Sequence, residues 1–479
     1  MATEVTANAL FAGPDRGILH NVVLRHEAGI ITSIEPAAAS PAQRSFVIPA
    51  FVNAHDHARP TASSFGAVDM PLESWILRSA MGTPPDAYLA AASAMARSAR
   101  AGCGAMMIHY TRPSGKLPLV AEAKEIARAA GDVGIRIAFA LAVRDRNPVV
   151  YGDGEPVLAA LSAEDRGSIE QLFVRPAMSP RDYIELTETI ASEISGPAID
   201  VQFGPAGVQW CSRQLLEAIA ENSARTGRRV HMHLLETIYQ RAWADQHFPD
   251  GVVRWLRDIG LLSPRLTLAH GIHARPDELE MIAASGARLV TNFSSNLHLH
   301  SGLAPIAAAH RCGCAIAVGV DGLALDEDDD VIREMRLVQL AHGGLGFKRT
   351  WTRPEFLGLA IRNGRAATGA PGPGELAPGA AADFVVLDLD RLDRDAFLDV
   401  DPLQLLFARG NAALVRDVVV DGRTIVREGK VAGVDLPAIE RELRGMYREG
   451  VKQFGGLQRA WAPLEGALSG WFERQMGCG

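Results

Sequence analysis

Short apolar runs recur through the middle of the chain, and polar turns and alanine-rich stretches separate them. The runs fall at residues 46–53, 104–110, 135–143, 199–204, 229–235, 266–270, 287–292 and 315–320. Between them, stretches such as residues 215–225 and 276–285 read as helices. Eight strands alternating with crossover helices predict an α/β fold, a closed parallel (β/α)8 barrel of the TIM type. Such a barrel carries its functional groups at the C-terminal strand ends.

The two ends of the chain read differently. Residues 1–48 and 376–435 hold short β-like runs with turn signals, which predict one small β-sandwich domain built from both termini. The barrel then spans 49–375, and 436–479 forms a helical tail with no legible chemistry. Residues 144–182 are long for a connection, and loops of that kind above a barrel shape a substrate pocket more often than a core.

The candidate chemistry sits where those strands end. His55-Asp56-His57 closes the first run, and residues two apart on a strand face the same side. Both imidazoles can therefore reach one small cation. Three later segments supply further groups: His231-Met232-His233-Leu234-Leu235-Glu236, His270-Gly271 and Asp321-Gly322. Imidazole and carboxylate suit zinc and similar divalent ions, so His55, His57, His233 and Asp321 form a candidate ligand set, with a coordination position left for water. Metal-bound water reaches a pKa near ~7 rather than ~15.7, which makes hydroxide available at neutral pH. Asp321 can accept that water's proton. Glu236 can shuttle a proton to the leaving group, and His270 can bind the atom gaining negative charge or orient the attacking hydroxide. Taken singly, each group has an ordinary reading: a core histidine, a helix cap or a turn. Their joint order across four strand ends is what favours a metal site. His231 is an alternative ligand on the same face as His233, expected to lie deeper.

Composition narrows the function classes. A net charge of −8 offers no basic surface for nucleic acid or membrane, and no apolar stretch is long enough to span a bilayer. Five scattered cysteines form no disulfide framework, and the N-terminus has no secretory pattern, so a cytoplasmic protein is expected.

The motifs together resemble those of the amidohydrolase superfamily. The similarity is to its branch of cytosine-, guanine- and adenosine-type deaminases and s-triazine hydrolases. It rests on residues 49–57, on Asp69 to Trp75, on His233 to Thr237, on Ala269-His270-Gly271, on Ser295-Asn296-Leu297 and on residues 319–322. Residues 377–383 and 420–422 resemble the small β domain. The resemblance implies one metal ion, zinc or iron, on His55, His57, His233 and Asp321, and a homo-oligomer. Binuclear relatives use a carboxylated lysine at the fourth strand. No lysine lies between Lys124 and Lys348, so a mononuclear site is expected.

The chain also departs from the pattern. Where adenosine-type deaminases carry a Pro-His-Ala-Pro-Tyr-like stretch, this chain has Pro205-Ala206-Gly207-Val208-Gln209-Trp210, which counts against a nucleoside substrate. Trp75, His109, Gln209, Trp210, Asn296 and His298 are candidate pocket residues, with aromatic walls for a flat ring. The acidic run Asp326 to Asp330 reads either as a helix N-terminus or as a preference for neutral or cationic substrates. The expectation is an aminohydrolase that attacks an sp2 carbon of a small nitrogen heterocycle and releases ammonia or an amine. The alternatives are ring opening of a cyclic amide or ureide, expulsion of another leaving group, and a non-catalytic scaffold.

Overall fold

The computed structural model describes residues 3–39, 43–59 and 62–477. Eight parallel strands form the barrel in chain order: Phe51–Asn53, Cys103–Tyr110, Arg136–Val143, Ile199–Pro205, Val230–Leu234, Leu266–His270, Arg288–Thr291 and Ala315–Val318. Each pairs with its neighbour in sequence, as right-handed crossovers demand. The last strand closes on the first. Ala54 N donates to Val318 O at 3.0 Å and Asp321 N to His55 O at 2.9 Å. The closing bonds therefore run through two of the expected site residues.

The first apolar run divides in two. Ser45–Pro49 belongs to an outer sheet, and only Phe51–Asn53 enters the barrel. Pro49 ends the outer strand, where a residue without an N–H closes a ladder readily. At Ala50 the chain crosses over: Ala50 N donates to Asp383 O at 3.1 Å and Phe51 N to Gly102 O at 3.0 Å.

The outer sheet takes strands from both termini. Thr3–Gly13, Gly17–Glu27 and Ile30–Pro36 lie on one side of Ser45–Pro49, and Phe384–Asp388, Val415–Val420, Arg423–Arg427 and Lys430–Val431 on the other. The eight strands make one mixed sheet that curls over itself. Ile31 N donates to Ala380 O at 2.9 Å, joining the two flanks. Leu10, Leu24 and Ile31 from one flank pack with Phe384, Val386 and Val419 from the other. Where the flanks meet, a side chain on Gly422 would strike the Gly29 backbone at 3.0 Å.

The tail is two helices, Leu436–Gly450 and Gly455–Gln475. The second lies on the segment that follows the third barrel strand. Phe472 packs edge-on against Tyr151, and Trp471 Nε1 donates to Asp153 O at 3.1 Å. That segment carries the helices Glu155–Ala159 and Ala163–Phe173. Among the described residues no helix is long and apolar enough to cross a membrane.

One buried ion cluster ties the two sheets together. Asp383 Oδ2 accepts from Arg136 at 2.7 Å and from Arg365 at 2.8 Å, and Asp383 Oδ1 accepts from Asp421 N at 2.7 Å. Burial alone would raise this carboxyl, but the two guanidiniums hold it below its ordinary range. A depressed folded-state pKa adds stability that is present above the unfolded value and lost as pH falls through the folded one. Asp383→Asn is expected to destabilise by about 3–5 kcal/mol, because it leaves two buried arginines without their anion. Urea unfolding at pH 7 measures this loss, and the gap from the parent protein should close as pH falls below about 4.

Candidate active site

Strand ends and backbone geometry bring the expected residues together. Leu235, His270 and Asp321 all adopt left-handed backbone conformations, with φ of 47°, 70° and 56°. Side chains rarely take this region. Here it turns each strand end sharply inward, and Gly271 and Gly322 continue the turn at φ 61° and 64°. The His-Gly and Asp-Gly pairs of the sequence thus mark two consecutive left-handed residues.

Three imidazoles converge through their Nε2 atoms. His57 Nδ1 lies 2.7 Å from His109 O, and His233 Nδ1 lies 2.7 Å from Ala206 O. A carbonyl only accepts, so each Nδ1 must carry the proton and each Nε2 presents a lone pair. His55 Nδ1 lies 2.7 Å from His231 Nε2, and His55 Nε2 is buried with no hydrogen-bond partner. The three Nε2 atoms face one another, with those of His57 and His233 3.4 Å apart. His231 stacks behind His55, in the layer beneath the convergence point.

Asp321 completes the cluster. Its Oδ1 lies 2.9 Å from His57 Nε2 and 3.4 Å from His55 Nε2. Ser295 Oγ donates to Oδ2 in a short hydrogen bond, and Arg59 Nη2 donates to Oδ1 at 2.9 Å and to Asp321 O at 2.7 Å. Burial opposes ionisation, yet Arg59 and the two imidazoles hold the carboxyl well below its usual range. Burial, then Arg59 at His57 and the crowded imidazoles of His109 and His55 at His233, keep both well below the ordinary histidine value, so both are neutral. Neutral lone pairs facing one another beside a carboxylate fit a divalent cation, and His55 Nε2 would otherwise be an orphaned polar atom.

Asp56, between the first two histidines, braces the site. Its Oδ1 accepts from His57 N and Ala58 N, and its Oδ2 accepts from Asn53 Nδ2 at 2.8 Å and Gly322 N at 3.1 Å. It therefore locks the first strand end to the eighth.

Glu236 and His270 stand opposite. His270 Nε2 lies 3.6 Å from Glu236 Oε2. His270 Nδ1 donates to Asn296 Oδ1 at 2.9 Å, which leaves Nε2 as an acceptor. Burial pushes this imidazole down to about 4. Burial, then Asp321 and Glu73, raise the Glu236 carboxyl well above its ordinary value, and Glu236 Oε1 has no partner. Glu73 lies beyond it, accepting from Thr237 Oγ1 at 2.6 Å and from Tyr151 OH at 2.9 Å.

A cavity of about 890 Å3, counting the space at its mouth, opens above these groups. The expected pocket residues divide. Trp75 and Trp210 line the cavity. His109 is fully buried beneath His57 and His233, and it acts on the site through its carbonyl. Gln209 is buried and does not line the cavity, Asn296 sits behind His270, and His298 is exposed on the surface. The acidic run lies off the cavity too. Asp326 and Asp328 pair with Arg333, Asp329 with Arg97, and Asp330 caps the helix Val331–His342. This is the helix N-terminus reading.

Sequence reasoning missed Arg59, Arg112 and Arg144, all on the cavity wall. Arg59 stacks on Trp75, 4.5 Å from the ring centre. Its position two residues after His57 was the available signal. Arg112 and Arg144 each follow shortly after the last residue of a barrel strand, where side chains reach the cavity.

The match to known proteins follows this geometry. The amidohydrolase family model matches residues 46–425. The chain belongs to the amidohydrolase family. With membership comes the enzyme class, a hydrolase of C–N bonds other than peptide bonds. The chain is 30% identical over 431 residues to an 8-oxoguanine deaminase of Pseudomonas aeruginosa, covering 86% of this chain and 91% of that one. It is 28% identical over 461 residues to a 5-methylthioadenosine/S-adenosylhomocysteine deaminase of Desulfovibrio desulfuricans, covering 95% of each. Its fold is similar to that of an atrazine chlorohydrolase of Arthrobacter aurescens solved with zinc and atraton (TM-score 0.77, 20% identity, 92% of this chain and 98% of that one). It is also similar to a zinc-bound adenosine deaminase of Xanthomonas campestris (TM-score 0.76, 21% identity, 94% and 98%).

Gly319 tests how tightly the site is packed. A Cβ there would lie 2.5 Å from Asn292 Oδ1 and 2.8 Å from His55 N. Gly319→Ala is expected to lower stability by about 1–3 kcal/mol and to shift His55. Thermal unfolding together with metal content per chain measures both effects.

Proposed function

We propose that the chain is an aminohydrolase with one divalent metal ion, acting on an sp2 carbon of a flat nitrogen heterocycle and releasing ammonia or an amine. The observation that carries this reading is the convergence of His55, His57 and His233, with Asp321 against His55 and His57, beneath a cavity walled by Trp75 and Trp210. His55, His57, His233 and Asp321 would hold the ion, zinc or iron, which when bound supplies Lewis acidity that makes hydroxide available near neutral pH. No lysine lies in the chain between Lys124 and Lys348, which supports one ion over a lysine-bridged pair.

The remaining chemistry belongs to the side chains. Asp321 is ionised and lies against the attacking side, so a carboxylate oxygen receives the water's proton. His270 Nε2, an acceptor because Nδ1–H is committed to Asn296, holds the attacking O–H in line. Of its two expected roles, this geometry favours orientation over oxyanion binding. Glu236, pushed toward its protonated form by burial and by its acidic neighbours, delivers its proton from Oε1 to the ring nitrogen. Asp321 then passes on the water's proton to the departing amine, and Glu236 regains a proton from the new C–OH as the C–N bond breaks.

The same reading carries a cytoplasmic homo-oligomer. Its supports are the four described cysteines, all unpaired, and the apolar tip Leu345 and Phe347, which projects into solvent.

A panel of aminated and cyclic-amide heterocycles separates the readings. Ammonia is expected to appear one for one with loss of substrate absorbance. Absorbance loss without ammonia would move the assignment to ring opening or another leaving group. Glu236→Gln should lower kcat by about 10²–10⁴ while metal content stays at the parent level. Chelation should remove activity, and zinc should restore it.

A further inference from the structure

Several arginines removed from solvent in this protein are paired with carboxylates. Arg136 and Arg365 hold Asp383, Arg97 holds Asp329, Arg241 holds Glu278 and Arg59 holds Asp321. Two arginines on the wall of the active-site cavity have no carboxylate partner among the described residues. Arg112 Nη2 donates to Ile76 O at 2.7 Å and to Ser79 Oγ at 2.6 Å. Those bonds fix the guanidinium plane, and its Nη1 and Nε have no protein acceptor among the described residues. Arg144, which lines the cavity and is exposed, makes neither a hydrogen bond nor an ion pair with any described residue.

The nearby carboxylates are already committed. Asp145 accepts from Ser212 N and Ser212 Oγ, each at 2.6 Å. Glu122 accepts from Tyr110 OH, from Ser114 N and Ser114 Oγ, and from Gly115 N. Glu236 belongs to the reacting end of the cavity. Arg112 is pushed down to about 9 by burial, then by Arg59 and Arg144, the direction expected when cations crowd without an anion. A guanidinium on a cavity wall without a counter-charge presents a planar fork that suits an oxyanion.

Position reinforces the point. A second cavity adjoins the first and shares Thr111, Arg112, Arg144 and Phe173 with it, and Arg146 and Arg175 line its outer part. The two unpaired arginines stand where the cavities meet, across from Glu236 and His270. Arg146 lies 5.7 Å from the Trp243 ring and Arg175 is exposed, so the approach is basic although the chain is acidic overall.

We propose that Arg112 and Arg144 bind an oxyanion substituent, carboxylate or phosphate in class, on the heterocycle whose reacting carbon faces Glu236 and His270. This rests on the aminohydrolase reading of the same cavity and adds the charge of the substrate to it. It reverses the preference for neutral or cationic substrates that the acidic run suggested.

The test uses metal-loaded enzyme and aminopyrimidines, aminopurines and aminopteridines, each as ring carboxylate, ring phosphonate and neutral carboxamide. An anionic member is expected to exceed its carboxamide by about 10- to 100-fold in kcat/KM, mainly through KM. Whether carboxylate or phosphonate leads identifies the class. In Arg112→Met and Arg144→Met that ratio should fall toward unity, and Arg144→Lys should restore part of it. Calorimetric binding to Glu236→Gln keeps the two ideas separable, because it needs no turnover. Arginine-dependent binding of anions without ammonia release would leave this proposal standing and overturn the deaminase reading. Equal turnover of carboxamides and anions with ammonia release, or an anion preference that survives in both methionine variants, would overturn the proposal and leave the deaminase reading intact.

Discussion

The proton on each histidine Nδ1 is the constraint on which the site depends. His57 and His233 give theirs to carbonyl oxygens on neighbouring strand ends, those of His109 and Ala206. A carbonyl cannot return a proton, so the tautomer is fixed by the backbone and the Nε2 lone pairs must point inward. Barrel closure sets the rest of the geometry. The bond from Asp321 N to His55 O joins the eighth strand end to the first, and Asp56 spans the same seam. The residues that close the fold and those that converge in the cavity are therefore largely the same, and disturbing one disturbs the other.

Much of the fold was legible because burial leaves a plain mark. Seven later barrel strands stand within two residues of the apolar runs that predicted them, since a strand covered on both faces reads as a continuous run. The first run misled at one point. Residues 46–53 serve two sheets, and a change of sheet at Ala50 leaves no break in hydrophobicity. The outer strands were harder to order, because pairing between the two termini depends on contacts such as Ile31 with Ala380 that have no local signature.

The site was legible to a different depth. His55, His57, His233, Glu236, His270 and Asp321 were readable because strand-end motifs fix their approximate place, and they lie together in the structure. The pocket wall was not. His298 follows the Ser295-Asn296 motif directly, yet the short helix Phe293–His298 carries it outward to the surface. Arg112 and Arg144 sit in stretches without any motif, and their meaning comes from what they lack among the described residues, a carboxylate partner. Sequence cannot display a missing contact.

Net charge was the least informative quantity for the same reason. The chain carries eight more acidic than basic residues, and its densest acidic run lies near the barrel mouth in sequence. In space those carboxylates are consumed by Arg333, Arg97 and helix capping, while the cavity wall is left with guanidiniums. Coulomb interactions act over a few ångströms in a recessed cavity, and salt screens the exposed surface. The field met by a bound molecule is then set by Arg59, Arg112 and Arg144 rather than by the overall balance. Arg59 is already neutralised by Asp321. The two that remain have no carboxylate partner among the described residues, which leaves their charge to whatever the cavity binds.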